Sequence, residues 1–68
     1  MKITFDKEAD ALYIEFSEGE FAKNKKIDDS TIIDFDKEGN ILGIEILGVS
    51  KKTPKDFLSK IQVENLIS

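Results

Sequence analysis

Residues 34–45 read D-F-D-K-E-G-N-I-L-G-I-E, and this stretch decides between two different folds. Its acidic residues match the ligand positions of an EF-hand calcium loop, which would fall on Asp34, Asp36, Glu38 and Glu45 with Gly39 at the bend. An EF-hand loop must join two helices, whereas apolar and polar residues alternate on both sides of Gly39. Alternation with this period is typical of half-buried strands. The stretch therefore predicts a β-hairpin, with Gly39 in a left-handed turn and the acidic side chains on a solvated sheet face.

The same alternation recurs along the chain and predicts five strands. They cover residues 2–5, 12–16, the weaker polar segment 21–28, 33–36 and 42–46. Because the connections are short and rich in turn-forming residues, we expect consecutive strands to be antiparallel neighbours in a meander. A two-residue turn at Asp29 and Ser30 would place Lys25 opposite Asp34 and Lys23 opposite Asp36.

The C-terminal segment is predicted to cover the apolar face of this sheet. Thr53 and Pro54 are typical of an N-cap and a first helical position, and apolar residues follow at helical spacing through about Leu66. Ile61 and Val63 would also suit a strand. The predicted fold is α+β: one domain over residues 1–68, with a five-stranded antiparallel meander sheet and one C-terminal helix packed on one face.

Composition excludes several kinds of chemistry. The chain has 14 acidic residues, 10 basic residues that are all lysines, and a net charge of −4, which disfavours nucleic-acid binding. It has no cysteine and no histidine, so disulfides and the commonest zinc ligands are excluded. No apolar run resembles a signal peptide or a membrane span. We expect a cytoplasmic protein with no cofactor.

Acidic residues are clustered in the first predicted loop, at Asp6, Glu8 and Asp10. Three carboxylates could hold a hard cation such as magnesium, but accepting hydrogen bonds from nearby backbone N–H groups is their commoner use. In a meander this loop shares one end of the sheet with Asp28 and Asp29. The other end gathers Glu18, Glu20, Asp36 and Glu38.

Tyr13 is an aromatic residue that the alternation places on the polar side of a strand. It either packs across strands or anchors an interface, and outward apolar residues such as Ile32, Ile41 and Leu47 would enlarge a patch around it. The candidate partner-binding residues are Tyr13, Glu15, Asp6, Asp10, Ile32 and Ile41. A homodimer through this face or an edge strand would also help so small a domain to be stable.

Two blocks, F-D-K-E-A-D-A-L-Y-I near the start and I-I-D-F-D-K-E-G-N-I-L-G-I-E-I-L later, resemble the small prokaryotic family catalogued as domain of unknown function 2283, whose fold is called YuzE-like. The resemblance covers residues 1 to 50 and implies a compact antiparallel sheet with a helical element and no established activity. Members are often encoded beside small toxin-like proteins, which implies an antitoxin or partner-binding role.

Together these observations favour a protein-binding module with a basic, toxin-like partner, since the surface is acidic. The alternative is a minimal carboxylate-based enzyme or a divalent-metal-dependent protein, which the lack of room for a cleft disfavours.

Overall fold

The computed structural model describes residues 1–60, which form a five-stranded antiparallel sheet. The strands are β1 (Lys2–Asp6), β2 (Ala11–Glu15), β3 (Lys23–Asp28), β4 (Thr31–Phe35) and β5 (Ile41–Leu47). Two short 3-10 helices follow, Val49–Lys51 and Phe57–Lys60. The predicted number of strands and their antiparallel arrangement are confirmed.

The strand order is β1-β2-β5-β4-β3, so the predicted meander is wrong. The segment between β2 and β3 crosses the ends of β5 and β4. Its N–H groups at Phe16 and Ala22 donate to the carbonyl oxygens of Leu42 (2.8 Å) and Phe35 (2.9 Å). Burial explains this order, because β5 is rich in isoleucine and leucine and gains most from a central position. Every residue of β3 is exposed, as suits an edge.

The sheet has one apolar and one polar face, because residues opposite each other in neighbouring strands point to the same side. The apolar face carries Ile3, Phe5, Leu12, Ile14, Ile33, Phe35, Ile44 and Ile46. Among the described residues, the buried apolar side chains are Leu12, Leu42 and Val49, and Val49 is fully buried. Val49 follows β5 and its N–H donates to the carbonyl oxygen of Asp10 at 3.1 Å, which ties this turn to the β1–β2 loop.

The predicted lysine–aspartate pairs between β3 and β4 are also wrong. The register shifts between Lys26 and Asp28, so Lys25 lies opposite Ile33 and Lys23 lies opposite Phe35. The two-residue turn at Asp29 and Ser30 was predicted correctly, but the irregularity directly before it moves the rest of β3 by one residue. A slip of one residue changes the face on which a side chain lies.

The predicted α-helix is not formed between Pro54 and Lys60, where the chain instead makes i→i−3 bonds typical of a 3-10 helix. The Thr53 hydroxyl donates to the carbonyl oxygen of Val49 at 2.8 Å and is therefore engaged with the preceding turn. Phe57 nevertheless reaches the apolar face, since its ring lies edge-on to Phe5 with centroids 6.4 Å apart. The remainder of the helix prediction, to about Leu66, lies outside the described residues.

Candidate partner-binding site

Tyr13 belongs to a row of polar-face side chains that crosses the whole sheet. In strand order from β1 to β3, this row contains Thr4, Tyr13, Glu45, Ile32 and Lys26. The adjacent row contains Lys2, Glu15, Gly43, Asp34 and Asn24. The structure therefore brings Tyr13, Glu15 and Ile32 to one face, as the sequence predicted, and places the carboxylate-bearing Glu45 between Tyr13 and Ile32.

Gly43 on β5 provides the space in which the Tyr13 ring lies. A Cβ at this position would lie 2.5 Å from Tyr13 Cζ and 2.8 Å from the carbonyl oxygen of Ile14. Both distances are well below an ordinary contact of about 3.5 Å. The tyrosine side chain therefore extends across the central strand at its glycine, from β2 towards β4.

Asp34 on β4 is the next polar residue beyond Gly43 in that direction, because the two are paired across β4 and β5. Partial burial raises the pKa of the Tyr13 hydroxyl above its ordinary value, and the negative charge of Asp34 raises it further. Glu15 and Glu45 add smaller effects of the same sign on this pKa. The tyrosine therefore stays protonated at neutral pH, and its O–H group lies near the carboxylates of Asp34, Glu15 and Glu45.

A shallow depression of about 300 Å³ lies beside Tyr13 on the polar face. It is lined by Thr4, Asp6, Ala9, Ala11, Leu12, Tyr13 and Glu45. A depression bordered by an aromatic ring and by the carboxylates of Asp6 and Glu45 is suited to a lysine or arginine side chain, since the ring face and the acids both attract a cation. A volume of about 300 Å³ has room for one long side chain of a partner, and it lies at the lower limit for pockets that enclose a small molecule.

Asp6 and Asp10 are both engaged in local structure. Asp6 Oδ1 accepts hydrogen bonds from the N–H groups of Glu8 (3.0 Å) and Ala9 (3.2 Å), so the predicted capping role is confirmed. Asp10 has a left-handed backbone (φ 53°). Its Oδ2 accepts the Ser50 hydroxyl at 2.7 Å, which holds the turn after β5. Asp6 also borders the depression, whereas Asp10 does not line it.

Ile41 is separated from the Tyr13 row. It lies opposite Phe35, beyond a register shift between β4 and β5, and its side chain is 41% exposed. Ile32, in contrast, lies opposite Glu45, beside Tyr13 in the same row. The apolar patch predicted around Tyr13 therefore includes Ile32 but does not extend along the face to Ile41.

The hairpin interpretation of residues 34–45 is confirmed. Asp36 Oδ1 accepts hydrogen bonds from the N–H groups of Glu38 (3.0 Å) and Asn40 (2.8 Å), and Gly39 has a φ of 86°. The Asn40 side-chain amide also donates to Asp36 Oδ2 at 3.0 Å, and this bond is the main cause that lowers the pKa of Asp36. Within residues 1–60, no three metal-ligating side chains are grouped so that they could hold an ion.

Three residues of this site were absent from the candidate partner-binding residues: Thr4, Asp34 and Glu45. Their polar-side positions follow from alternation, but their closeness to Tyr13 depends on β5 lying between β2 and β4. The signal that could have found them is the apolar character of β5, which favours a central strand, together with a glycine opposite Glu15 that leaves room for an aromatic ring.

The strand order and the tyrosine-centred polar face define a small protein built on a single antiparallel sheet. The chain belongs to the family described as "Protein of unknown function (DUF2283)", whose model matches residues 2–50 and so includes all five strands. The resemblance seen in the sequence is therefore confirmed.

A relative, "Uncharacterized protein MJ0789" of Methanocaldococcus jannaschii, is 49% identical over 53 residues. The match covers 75% of this chain and 43% of the relative, so the chain spans less than half the length of that protein. No solved structure matches the chain. Over residues 1–60, no helix has the length and apolar character needed to cross a membrane.

Proposed function

We propose that this chain is a protein-binding module whose polar sheet face, centred on Tyr13, captures a basic protein. The observation that supports the proposal is the position of the Tyr13 ring, held over Gly43 with Asp34, Glu15 and Glu45 around it. A rigid aromatic residue on a flat face is a common anchor of protein interfaces. The surrounding carboxylates and the net charge of −4 favour a partner of opposite charge.

The mechanism is occlusion. A lysine or arginine of the partner would enter the depression between Tyr13, Asp6 and Glu45, while Ile32 makes an apolar contact beside it. Among basic partners, a small toxin-like protein is the first to test, because the family resemblance implies such neighbours. The chain would then act as an antitoxin by covering the functional surface of that protein. Action in the cytoplasm stays a prediction.

The test is affinity capture from the native cell with three immobilised baits: the wild-type chain, Tyr13→Ala, and Phe21→Ala as a matched control. Phe21 is an exposed aromatic residue outside the polar-face rows, at 56% exposure. We expect the wild type and the control to retain the same basic protein, and added salt to release it. Loss of an anchoring tyrosine should weaken binding by roughly 2 kcal/mol, or about 30-fold. Equal retention by the Tyr13→Ala bait, or retention of no basic protein by the wild type, would contradict the proposal.

We also propose that the segment after Lys60 contributes to covering the apolar face. Phe57 contacts Phe5 on that face, and the sequence continues with Ile61, Val63, Leu66 and Ile67. Removal of residues 61–68 should lower the melting temperature and increase binding of a dye that detects apolar surface. If neither the melting temperature nor the dye binding changes, residues 61–68 do not cover the apolar face.

A further inference from the structure

The two edge strands of the sheet differ in how they are protected against pairing with another strand. β3 carries Lys23, Lys25 and Lys26, and it contains an irregular register between Lys26 and Asp28. Lysines and bulges are common devices that keep an edge from pairing. Within residues 1–60, β1 is less protected: it carries a single lysine, Lys2, at its start, its pairing with β2 is regular from Lys2 to Asp6, and its central residues Ile-Thr-Phe all favour strands.

We propose that β1 pairs antiparallel with β1 of a second copy of this chain, around a two-fold axis at Thr4. The sequence of β1, K-I-T-F-D, is self-complementary in this arrangement. Lys2 lies opposite Asp6 of the second copy, Ile3 lies opposite Phe5 of the second copy, and the two threonines face each other. The symmetry repeats both the ion pair and the apolar pair, as an interface between identical surfaces requires.

The sheet faces select this register among the alternatives. Because opposite residues share a face, any register displaced by one residue would place Ile3 opposite a polar-face residue and break the apolar face. Registers displaced by two residues still place apolar-face residues opposite each other. They pair only part of each strand, however, and they do not bring either Lys2 opposite an Asp6. Only the register centred on Thr4 pairs β1 along its whole length and matches both charges.

The turn after β1 holds the Asp6 side chain in one position. Its Oδ1 already accepts the N–H groups of Glu8 and Ala9, which fixes the carboxylate at the end of β1. Among residues 1–60, Asp6 Oδ2 accepts no hydrogen bond, and in the proposed dimer it faces the ammonium group of Lys2 from the second copy. Because the contact is made edge to edge, Tyr13 and Glu45 lie outside it, whereas Thr4 and Asp6 belong both to the contact and to the depression beside Tyr13. The dimer does not require that depression to bind a partner.

The principal test is sedimentation equilibrium of charge variants. The wild type should sediment at twice the chain mass of 7.7 kDa. Lys2→Asp makes both paired positions acidic and Asp6→Lys makes both basic, so each variant alone should sediment as a monomer. An equimolar mixture should recover the dimer mass, because every contact is again between opposite charges. Lys25→Asp, the same charge change on the other edge strand, should remain dimeric.

A cysteine variant tests the axis without altering the charged residues. The chain contains no cysteine, so Thr4→Cys introduces a single thiol beside its own copy across the axis. Mild oxidation should convert it to a covalent dimer, whereas Lys25→Cys should stay monomeric on a denaturing gel under the same conditions. A monomeric wild type would overturn the proposal. So would a dimer that survives both charge variants, or equal crosslinking of the two cysteine variants.

Discussion

Replacement of Gly43 by alanine should displace the Tyr13 ring and destabilise the pairing of β2 with β5. The new Cβ would lie 2.5 Å from Tyr13 Cζ, which is about 1 Å too close, and 2.8 Å from the backbone oxygen of Ile14. The aromatic ring can move away, but the backbone oxygen belongs to the paired strand β2 and can move only if β2 and β5 separate.

Overpacking of this kind costs about 1–3 kcal/mol, and the usual gain of replacing glycine within a strand offsets roughly 0.5–1 kcal/mol of it. We therefore expect Gly43→Ala to lower the free energy of unfolding by about 0.5–2 kcal/mol. A chain of this size has only about 3–10 kcal/mol in total. The melting temperature should fall by roughly 2–16 °C, since each kcal/mol corresponds to about 4–8 °C in small domains.

The assay is urea unfolding followed by circular dichroism for the wild type, Gly43→Ala, Tyr13→Ala and the double variant. Removal of the ring relieves one of the two close contacts, so Gly43→Ala should cost less in the Tyr13→Ala background, with a coupling of at least about 0.5 kcal/mol. Gly19→Ala is the control for a clash with side-chain atoms alone: its Cβ would lie 2.7 Å from Cδ2 of Leu42, the end of a side chain that can shift, whereas the backbone oxygen of Ile14 cannot. We expect it to cost less than Gly43→Ala. An unchanged unfolding midpoint for Gly43→Ala, or the same cost in both backgrounds, would refute this reasoning.

Two further predictions concern the turns at the ends of β5. Val49 is fully buried, so Val49→Ala should lower the free energy of unfolding, measured by urea titration, by about 2–3 kcal/mol. Ile27 is exposed, so Ile27→Ala should change it by less than about 0.5 kcal/mol. Equal effects of the two substitutions would contradict the assignment of Val49 to the core. The pKa of Asp36 is lowered in the folded state, chiefly by the hydrogen bond from the Asn40 side chain. The ionised carboxylate therefore stabilises the folded state at a pH above about 3.9, the pKa of Asp in an unfolded chain, and this stabilisation is lost as the pH falls through the pKa of the folded state. Asp36→Asn should therefore make the melting temperature less dependent on pH in the acid range, and an unchanged acid dependence would count against the bond.

The sequence predicted which residues form strands better than it predicted which strands are neighbours. Two-residue alternation assigns Tyr13 and Asp34 to the polar face, because the period depends only on local backbone geometry. It carries no information on strand order, and β2 and β5 are distant in sequence. The placement of Gly43 beneath Tyr13 could therefore not be predicted from alternation.

Local irregularities account for the other differences. The register shift near Ile27 leaves the β3–β4 turn as predicted but moves Lys25 from the expected position opposite Asp34 to one opposite Ile33. Alternation does not indicate where such an extra residue falls, because a bulge depends on the twist that the assembled sheet imposes. The predicted helix start at Thr53 failed for a similar reason, since its hydroxyl bonds to the turn that precedes it.

The proposed binding face depends most on the Tyr13 side chain reaching across Gly43 to Asp34, and a spectroscopic pH titration tests this position directly. The chain contains one tyrosine and no tryptophan, so the near-ultraviolet absorbance of tyrosinate reports on Tyr13 alone. The pKa of Tyr13 is raised in the folded state. The protonated hydroxyl therefore supports the folded state fully at a pH below about 10, the ordinary pKa of tyrosine, and this contribution is lost as the pH rises through the pKa of the folded state. We predict a wild-type midpoint above the ordinary pKa, a lower midpoint for Asp34→Asn, and no change for Glu38→Gln in the distant hairpin loop. A wild-type midpoint at the ordinary value, or one that Asp34→Asn leaves unchanged, would contradict the account.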